Sequence, residues 1–419
     1  MRELLKKTNF VYLLLSRGLL TMGLQVQTVL IGWHIYQLRK DAFLLGLIGL
    51  AEALPAIAGA LIAGPIIDHG RPARILRVSI VVMALNTVLA WLVVMWAEKN
   101  PELIPASTEI LVLFVTIFIS GAARSFLSPS AFSLIPQLLE RHLIPRAAAL
   151  NSSTFTLAQI IGPAIGGLSF AFGSLGWTFS IPIFLTGIAA ATTFFWPKSV
   201  FDIGVPSHIR RKESVWFSLR EGWSFLWNQK VLLSIMSLDM LSILFGGAVA
   251  VLPIFADQVY HVGASGLGFL RAATAVGAAS SSLILAARPF KEATGNKLMF
   301  VIAAFGFCMI GFGLNTNYTI GLFLLFASGA FDGVNMVLRG TMNQLLTPEN
   351  MRGRVSALSS VFITSSNEIG AFESGLAASL MGLIPSVIFG GAMTLIIVAS
   401  IKWLVPSLSE TRVRVREGG

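Results

Sequence analysis

The chain of 419 residues is 55% hydrophobic and 12% charged, about half the ~25% charged fraction of a soluble domain. Its mean hydropathy of +0.79 is too high for a surface that faces water all round. These values exclude a soluble enzyme, a disulfide-built secreted scaffold, a coiled coil and a disordered chain, and they leave a polytopic α-helical membrane protein. The net charge of +10 would suggest nucleic acid in a soluble protein; here its placement matters more, and no nucleic-acid partner is expected. The single cysteine, Cys308, allows no internal disulfide and has no metal-ligand spacing around it. No cofactor or metal site is expected.

Arg2, Lys6 and Lys7 precede an apolar run from Phe10 to about Leu38. The run is too long for a signal-peptide core and lacks a small-residue cleavage site, so it reads as a retained first transmembrane helix. A span needs about 20 mostly apolar residues, and twelve such runs fit, centred at roughly residues 24, 55, 86, 122, 158, 187, 243, 276, 307, 331, 368 and 395. Short polar hinges separate them, among them Arg39–Asp41, His69–Arg74, Glu98–Glu109, Asp257–Ala264 and Pro348–Arg354. The least marked boundary is that of spans eleven and twelve, near Leu383–Pro385. Pro197–Lys230 is the longest polar stretch, and its Ser214–Trp227 carries Trp216, Phe217, Trp223, Phe225 and Trp227, the pattern of an interfacial amphipathic helix. The expected organisation is therefore a six-helix bundle over 1–197, a cytoplasmic linker over 198–230, a second six-helix bundle over 231–406 and a cytoplasmic tail over 407–419.

Basic residues set the expected orientation. With the N-terminus inside, 23 of the 30 Lys and Arg fall in cytoplasmic segments, three (Arg39, Lys40, Lys99) in outer loops and four (Arg17, Arg124, Arg271, Arg339) within spans. This asymmetry follows the positive-inside rule and places both termini in the cytoplasm.

The two halves repeat. Gln137-Leu-Leu139, Arg146-Ala-Ala-Ala-Leu150-Asn-Ser152, Gly162 and Gly167 correspond to Gln344-Leu-Leu346, Arg354-Val-Ser-Ala-Leu358-Ser-Ser360, Gly370 and Gly375, and Gly121-Ala122 corresponds to Gly329-Ala330. From Arg146 onward the offset is a constant 208 residues. Six spans per repeat keep both halves in the same orientation, a parallel repeat.

Twelve spans, a basic middle loop and a parallel repeat resemble the major facilitator superfamily, and three motifs sharpen the likeness. Gly64-Pro-Ile-Ile-Asp68-His-Gly70-Arg71-Pro-Ala-Arg74 resembles the superfamily's motif between spans two and three, with His69 in place of the usual Arg. Gly162-Pro163-Ala-Ile-Gly166-Gly167 in span five resembles its antiporter motif; close helix packing and bending is the alternative reading of that run. Ser128–Pro136, Ala149-Leu-Asn151 and Ser218–Trp227 resemble the bacterial branch of enterobactin exporters and macrolide-efflux proteins. The resemblance implies a transporter of a small-molecule substrate in the inner membrane of a bacterial cell, in contact with lipid and working as a monomer. It implies that spans one, four, seven and ten line a central cavity, and that Asp68, with Arg71 and Arg74, meets the start of span eleven near Val355 as a cytoplasmic latch.

Ionisable residues inside a bilayer cost roughly 2.5–3.5 kcal/mol or more at its centre, so each is a functional candidate. Beside the four arginines stand five acids, Glu52, Asp239, Asp332, Glu368 and Glu373. The near balance suggests pairing, with at least one acid left over to carry a proton. Asp332, Asn335 and Arg339 fall on one stripe of span ten, Arg17, Thr21, Gln25 and Thr28 on one of span one, and Ser120, Arg124 and Ser128 on one of span four. A buried ion-pair network joining helices is the competing reading for Arg124 and Asp239. Glu52, three residues before Pro55, is placed either to meet a charge or to bond backbone groups freed at a kink.

The expected function is proton-coupled export of amphipathic small molecules by alternating access, with protons as the counter-ion. An uncoupled facilitator or an importer of a metabolite or lipid uses the same fold. An intramembrane enzyme is disfavoured by the lack of His-Glu-x-x-His, Gly-x-Ser-x-Gly and Cys/His clusters, a receptor by the lack of a sizeable soluble domain, and ATP-driven transport by the lack of a Walker motif. Span one carries no acid of its own, unlike many drug/proton antiporters, and this leaves coupling open.

Overall fold

The computed structural model describes residues 2–170, 173, 175–202, 215–288, 290–348 and 351–414. Twelve long helical segments run through them. Spans one to six are Thr8–Arg39, Ala42–His69, Pro72–Lys99, Ala106–Leu138, Ile144–Ser169 and Ser180–Phe194, the last preceded by a turn at Leu175–Thr178. Spans seven to twelve begin with Lys230–Gly246 and continue as Gly263–Ala287, Gly295–Leu314, Tyr318–Leu346, Arg352–Met381 and Leu383–Leu404. Ten are both long and apolar enough to cross a membrane. The two others, spans five and eleven, have 26 and 30 residues; they fall outside that set by polarity, carrying runs such as Asn151-Ser-Ser-Thr154 and Thr364-Ser-Ser-Asn-Glu368.

Local chemistry explains the ends. Pro72 opens span three, where its missing N–H costs nothing. The Asn317 side chain accepts from the Thr319 and Ile320 amides at the start of span ten. The boundary of spans eleven and twelve is one residue, Gly382, at φ +91°, a conformation that only glycine adopts without strain. Span seven does not run unbroken to the Asp257 hinge. Its α-helix stops at Gly246; a 3₁₀ turn (Ala248–Val251), a turn through Pro253 and a π-turn (Phe255–Val259) follow. The Gly246-Gly247 pair and Pro253 together disfavour a continuous helix.

Contacts divide the chain into two units, residues 1–39 with 51–215, and residues 40–50 with 216–419. In the first, Phe10, Leu13, Leu20, Leu76, Ile80, Met83 and Leu134 form the centre of the core. Residues 198–202, assigned above to the linker, form a short helix against this unit. Trp196 and Phe201 stack at 5.9 Å, Arg77 lies 4.0 Å over Phe194 and 5.2 Å over Phe201, and Arg74 Nε donates to the Phe201 carbonyl at 3.2 Å. At the exposed end of the same unit Lys7 Nζ donates to Glu140 Oε1 at 2.9 Å. That hydrogen bond holds Lys7 above its ordinary pKa and Glu140 below its own.

In the second unit Ile235, Leu238, Leu298, Ile302, Leu338 and Met342 form the core. The amphipathic helix spans Val215–Asn228 and docks on the start of span eleven. Trp223 stacks on Phe362 at 6.0 Å, Glu221 pairs with Arg354 at 3.0 Å, and Leu226 is buried with Met236, Met351, Val355 and Leu358. Its Trp227 remains exposed. One short ribbon adds to the helices: Glu292–Thr294, between spans eight and nine, pairs antiparallel with Arg412–Arg414 of the tail. Val413 faces Ala293, which is buried, so the ribbon covers an apolar spot.

The sequence repeat performs the same work in both halves. A Cβ at Gly121 of span four would lie 2.4 Å from the Glu52 carbonyl oxygen of span two, and one at Gly329 of span ten 2.0 Å from the Thr274 carbonyl of span eight. A Cβ at Gly162 of span five would lie 2.5 Å from Gln25 Cβ of span one, and one at Gly370 of span eleven 3.0 Å from the Ile243 carbonyl of span seven. Each glycine marks a backbone-to-backbone crossing, the way helices associate where lipid gives no hydrophobic push. Gly329→Val is therefore expected to destabilise the purified protein by about 1–3 kcal/mol or more, read as a lower melting temperature in detergent. Gly340→Ala, with nothing within 4 Å of the added carbon, is the control and should leave it unchanged.

Candidate functional site

A buried polar cluster in the second unit joins spans seven and ten. Asp239, 2% exposed at its side chain, accepts from Arg339 Nη1 at 2.9 Å and from Asn335 Nδ2 at 2.7 Å. Asn335 and Arg339 are four residues apart, hence on one helix face. Asp332, one turn earlier, is half-buried on the same stripe of span ten, in the field of both Asp239 and Arg339. Two carboxylates thus face one guanidinium and one amide. Arg339 Nε and Asn335 Oδ1 are buried without a hydrogen-bond partner, and unpaired buried polar atoms are costly enough to call for water or a ligand.

The first unit holds two separate sites. Arg124 of span four pairs with Glu52 of span two through Nη1 and Oε1, so Glu52 meets a charge rather than serving only a kink at Pro55. Arg17 of span one, 7% exposed, behaves differently. Its Nη1 donates to Asn151 Oδ1 at 2.8 Å, its Nη2 to Ser128 Oγ at 3.1 Å, and its guanidinium carbon lies 5.8 Å from the Phe155 ring centre. These partners, from spans four and five, are all neutral, and among the described residues Arg17 makes no ion pair. Gln25 packs its stem on Gly162. Gly166 abuts Val26 and Val29, Gly167 is buried beside it, and Pro163 lies inside the helix, so the Gly162-Pro163-Ala-Ile-Gly166-Gly167 run brings span five against span one.

Other residues fall apart from these clusters. The side chains of Gly64 and Asp68 lie outside the described residues. Arg71 is exposed at the start of span three, and Arg74 is engaged with Phe201. Glu368 and Glu373 are half-buried on span eleven, where the Glu368 carbonyl lies against Gly49. In the second unit, Arg271 of span eight has a buried Nε without a partner. No group of residues suited to hold a metal occurs among the described residues.

Sequence reasoning missed several polar pairs. Gln27 accepts from Thr87 at 2.7 Å, and Asn86 donates to the Thr116 carbonyl and to Ser120, both at 2.8 Å. A scan for single amides inside apolar runs would have found them. Glu109, taken as part of the hinge after span three, is buried in the first turn of span four and bonds His34 of span one, Nε2 to Oε1, at 2.5 Å. The signal was Pro105, which starts the helix a full turn earlier.

A family model described as Major Facilitator Superfamily matches residues 13–371. The chain belongs to the Major Facilitator Superfamily. Curated relatives include the enterobactin exporter EntS of Shigella boydii serotype 18 and that of Escherichia coli O81, each 27% identical over 392 residues, covering 92% of this chain and 87% of the relative. Among solved structures, a D-xylose-proton symporter superposes with a TM-score of 0.71 at 12% identity, covering 96% of this chain and 99% of that one. An inward-facing bacterial homologue of the lysosomal transporter Spinster gives 0.67 at 16% identity, with 98% coverage of both. These similarities show the fold; the family match makes the chain a multi-pass membrane transporter rather than an enzyme.

In this facilitator fold the Asp239–Arg339 pair has a stability consequence. Arg339→Leu leaves two carboxylates without their cation and is expected to cost about 3–5 kcal/mol. Adding Asp239→Leu should restore most of the loss, measured as melting temperature in detergent, because the remaining network then carries only Asp332.

Proposed function

We propose that this transporter exports amphipathic small molecules, of a drug or siderophore-like kind, by alternating access and in exchange for protons. Export is supported by the relatives, two of which bear the name enterobactin exporter. The observation that carries coupling is the excess carboxylate of the second unit, where Asp239 and Asp332 face the single Arg339. A buried net charge is costly, and a proton on Asp332 removes it. Loss of that proton leaves Arg339 shared between two carboxylates and rearranges the hydrogen bonds of Asn335. The proton state is thereby tied to the arrangement of spans seven and ten. Glu52 and Glu368 are secondary candidates for the proton, Glu52 being engaged with Arg124.

Substrate contact is assigned to Arg17 and Arg124, with Gln25 and Asn335 as neutral hydrogen-bonding groups. Arg17 favours an acceptor-bearing substrate, since its charge meets only neutral partners. The setting proposed is the inner membrane of a bacterial cell, with both termini cytoplasmic by the distribution of basic residues and a monomer as the working unit. Efflux-sensitised bacteria with and without this chain, scored against a panel of toxic compounds, test export: a compound tolerated only when the chain is present identifies a substrate. That compound, added to liposomes holding the protein and a pH dye, then tests coupling. Transport without proton flux would make the protein an uncoupled facilitator.

Two further outcomes follow. Asp332→Asn should fold and bind the identified compound while losing transport driven by a pH gradient; full gradient-driven transport by that variant removes Asp332 from the mechanism. Arg17→Lys forfeits the two-nitrogen geometry of the guanidinium. One charged hydrogen bond is worth about 1.5–3 kcal/mol, so transport should show at least a roughly tenfold rise in the half-saturating concentration. Unchanged kinetics in both Arg17→Lys and Arg124→Lys would confine the arginines to holding helices together.

A further inference from the structure

In the first unit His34 and Glu109 form a buried titratable pair, Nε2 to Oε1 at 2.5 Å, with side chains only 11% and 5% exposed. Neither residue is used by the clusters above. His34 lies five residues before Arg39, the end of span one, and Glu109 lies in the first turn of span four. By the orientation proposed above, both ends are at the outer face of the membrane.

Among the described residues of the first unit, no second buried charge lies beside the pair. Spans five and six, packed on span one, carry no ionisable residue anywhere between Ala147 and Pro197. Span three contributes Glu98 and Lys99 at its outer end, and the loop after it Glu102, all exposed. Span one itself adds Tyr36, buried, and Arg39, exposed. On span four the next charge is Arg124, about 22 Å further along at 1.5 Å per residue, and it is paired with Glu52. Within the described first unit the pair therefore stands apart from other buried charges. With neutral His34 and ionised Glu109 it carries −1; one added proton makes a neutral ion pair; a second makes it +1. In a buried setting the neutral form is favoured, because uncompensated charge there is costly. That preference lasts only while the pair is closed off from water, so a change of access to it is also a change in how firmly its proton is held.

We propose that His34 and Glu109 together form a proton-binding site, at which the proton taken up in exchange for an exported molecule enters the first unit from outside. This rests on the proton-antiport reading and supplies what span one lacks: the carboxylate comes from span four and acts on span one through His34. The competing role is a fixed ion-pair clamp between the two helices, which would hold its proton at every pH.

The full chain, purified and reconstituted, is titrated between pH 8 and pH 5 with an indicator that counts protons, for the wild type, His34→Gln and Glu109→Gln. The expected result is one proton fewer per molecule in each variant. ¹⁵N-histidine NMR of the wild type, which holds five histidines, should show one solvent-shielded ring whose nitrogen signals shift over the same range. Because that measurement needs no substitution, it stands even where a variant fails to fold. A shielded ring with fixed signals, or equal proton counts in wild type and both variants, overturns the site in favour of the clamp. Substrate-driven proton flux in the wild type that persists undiminished in both variants also overturns it. Absence of flux in the wild type instead fails the antiport reading, and the entry role with it.

Discussion

Inside a bilayer a buried amide, hydroxyl or charge has no water to turn to, so each must find its partner within the protein. That constraint orders the whole structure. It makes the chain helical, since a helix satisfies its own backbone, and it makes each polar side chain choose a neighbour. Asp239 takes Arg339 and Asn335, Glu52 takes Arg124, Glu109 takes His34, and Gln27 takes Thr87. All of these pairs join different spans, so satisfying the side chains also fixes which helices are neighbours.

Close approach is the second requirement, and glycine meets it. Lipid tails are as apolar as leucine, so helices are held by packing and by hydrogen bonds rather than by escape from water. The crossings at Gly121 and Gly329, and at Gly162 and Gly370, place carbonyl oxygens or side-chain stems where a methyl group would otherwise stand. Their constant spacing of 208 residues along the chain reflects one packing solution used twice. Span five and span eleven are also the two helices too polar to stand out by hydropathy, as expected of helices that exchange polar contacts with other protein segments as well as with lipid.

Much of the fold was legible because its signals are coarse. A run of apolar residues, a basic hinge and a repeated glycine survive errors of several residues in a boundary. The site was legible only in part. The stripe Asp332–Asn335–Arg339 is a matter of helical spacing within one span, which the sequence displays directly. Its partner Asp239, from span seven, could be named as buried but not assigned to Arg339, because pairing across helices depends on rotation and depth. Glu109 was lost for a related reason: one turn decides whether a carboxylate sits in a wet loop or inside the bundle. The short ribbon of Glu292–Thr294 with Arg412–Arg414 joins segments far apart in sequence, each too brief to show a strand period.

The distribution of charge within each unit carries the functional argument further than any single residue. In the first unit, Glu52 and Glu109 have cationic or titratable partners, while Arg17 is held by an amide, a hydroxyl and an aromatic face. In the second, Asp239 pairs with Arg339, and Asp332 lies in the field of both. A structural network selected for stability alone would be cheaper if replaced by apolar packing, since burying ion pairs often gains little. Retaining a cation without its anion and a carboxylate beyond its cation is harder still to explain as scaffolding. In the proposed mechanism both imbalances are relieved by arrivals from outside the chain, an acceptor group at Arg17 and a proton at Asp332. A transporter needs such relief to be conditional: if the resting charges were already satisfied, binding would change little in the balance between its states. The unsatisfied Arg339 Nε and Asn335 Oδ1 belong to the same logic, because they lie in the network whose hydrogen bonds the proposed loss of a proton would remake.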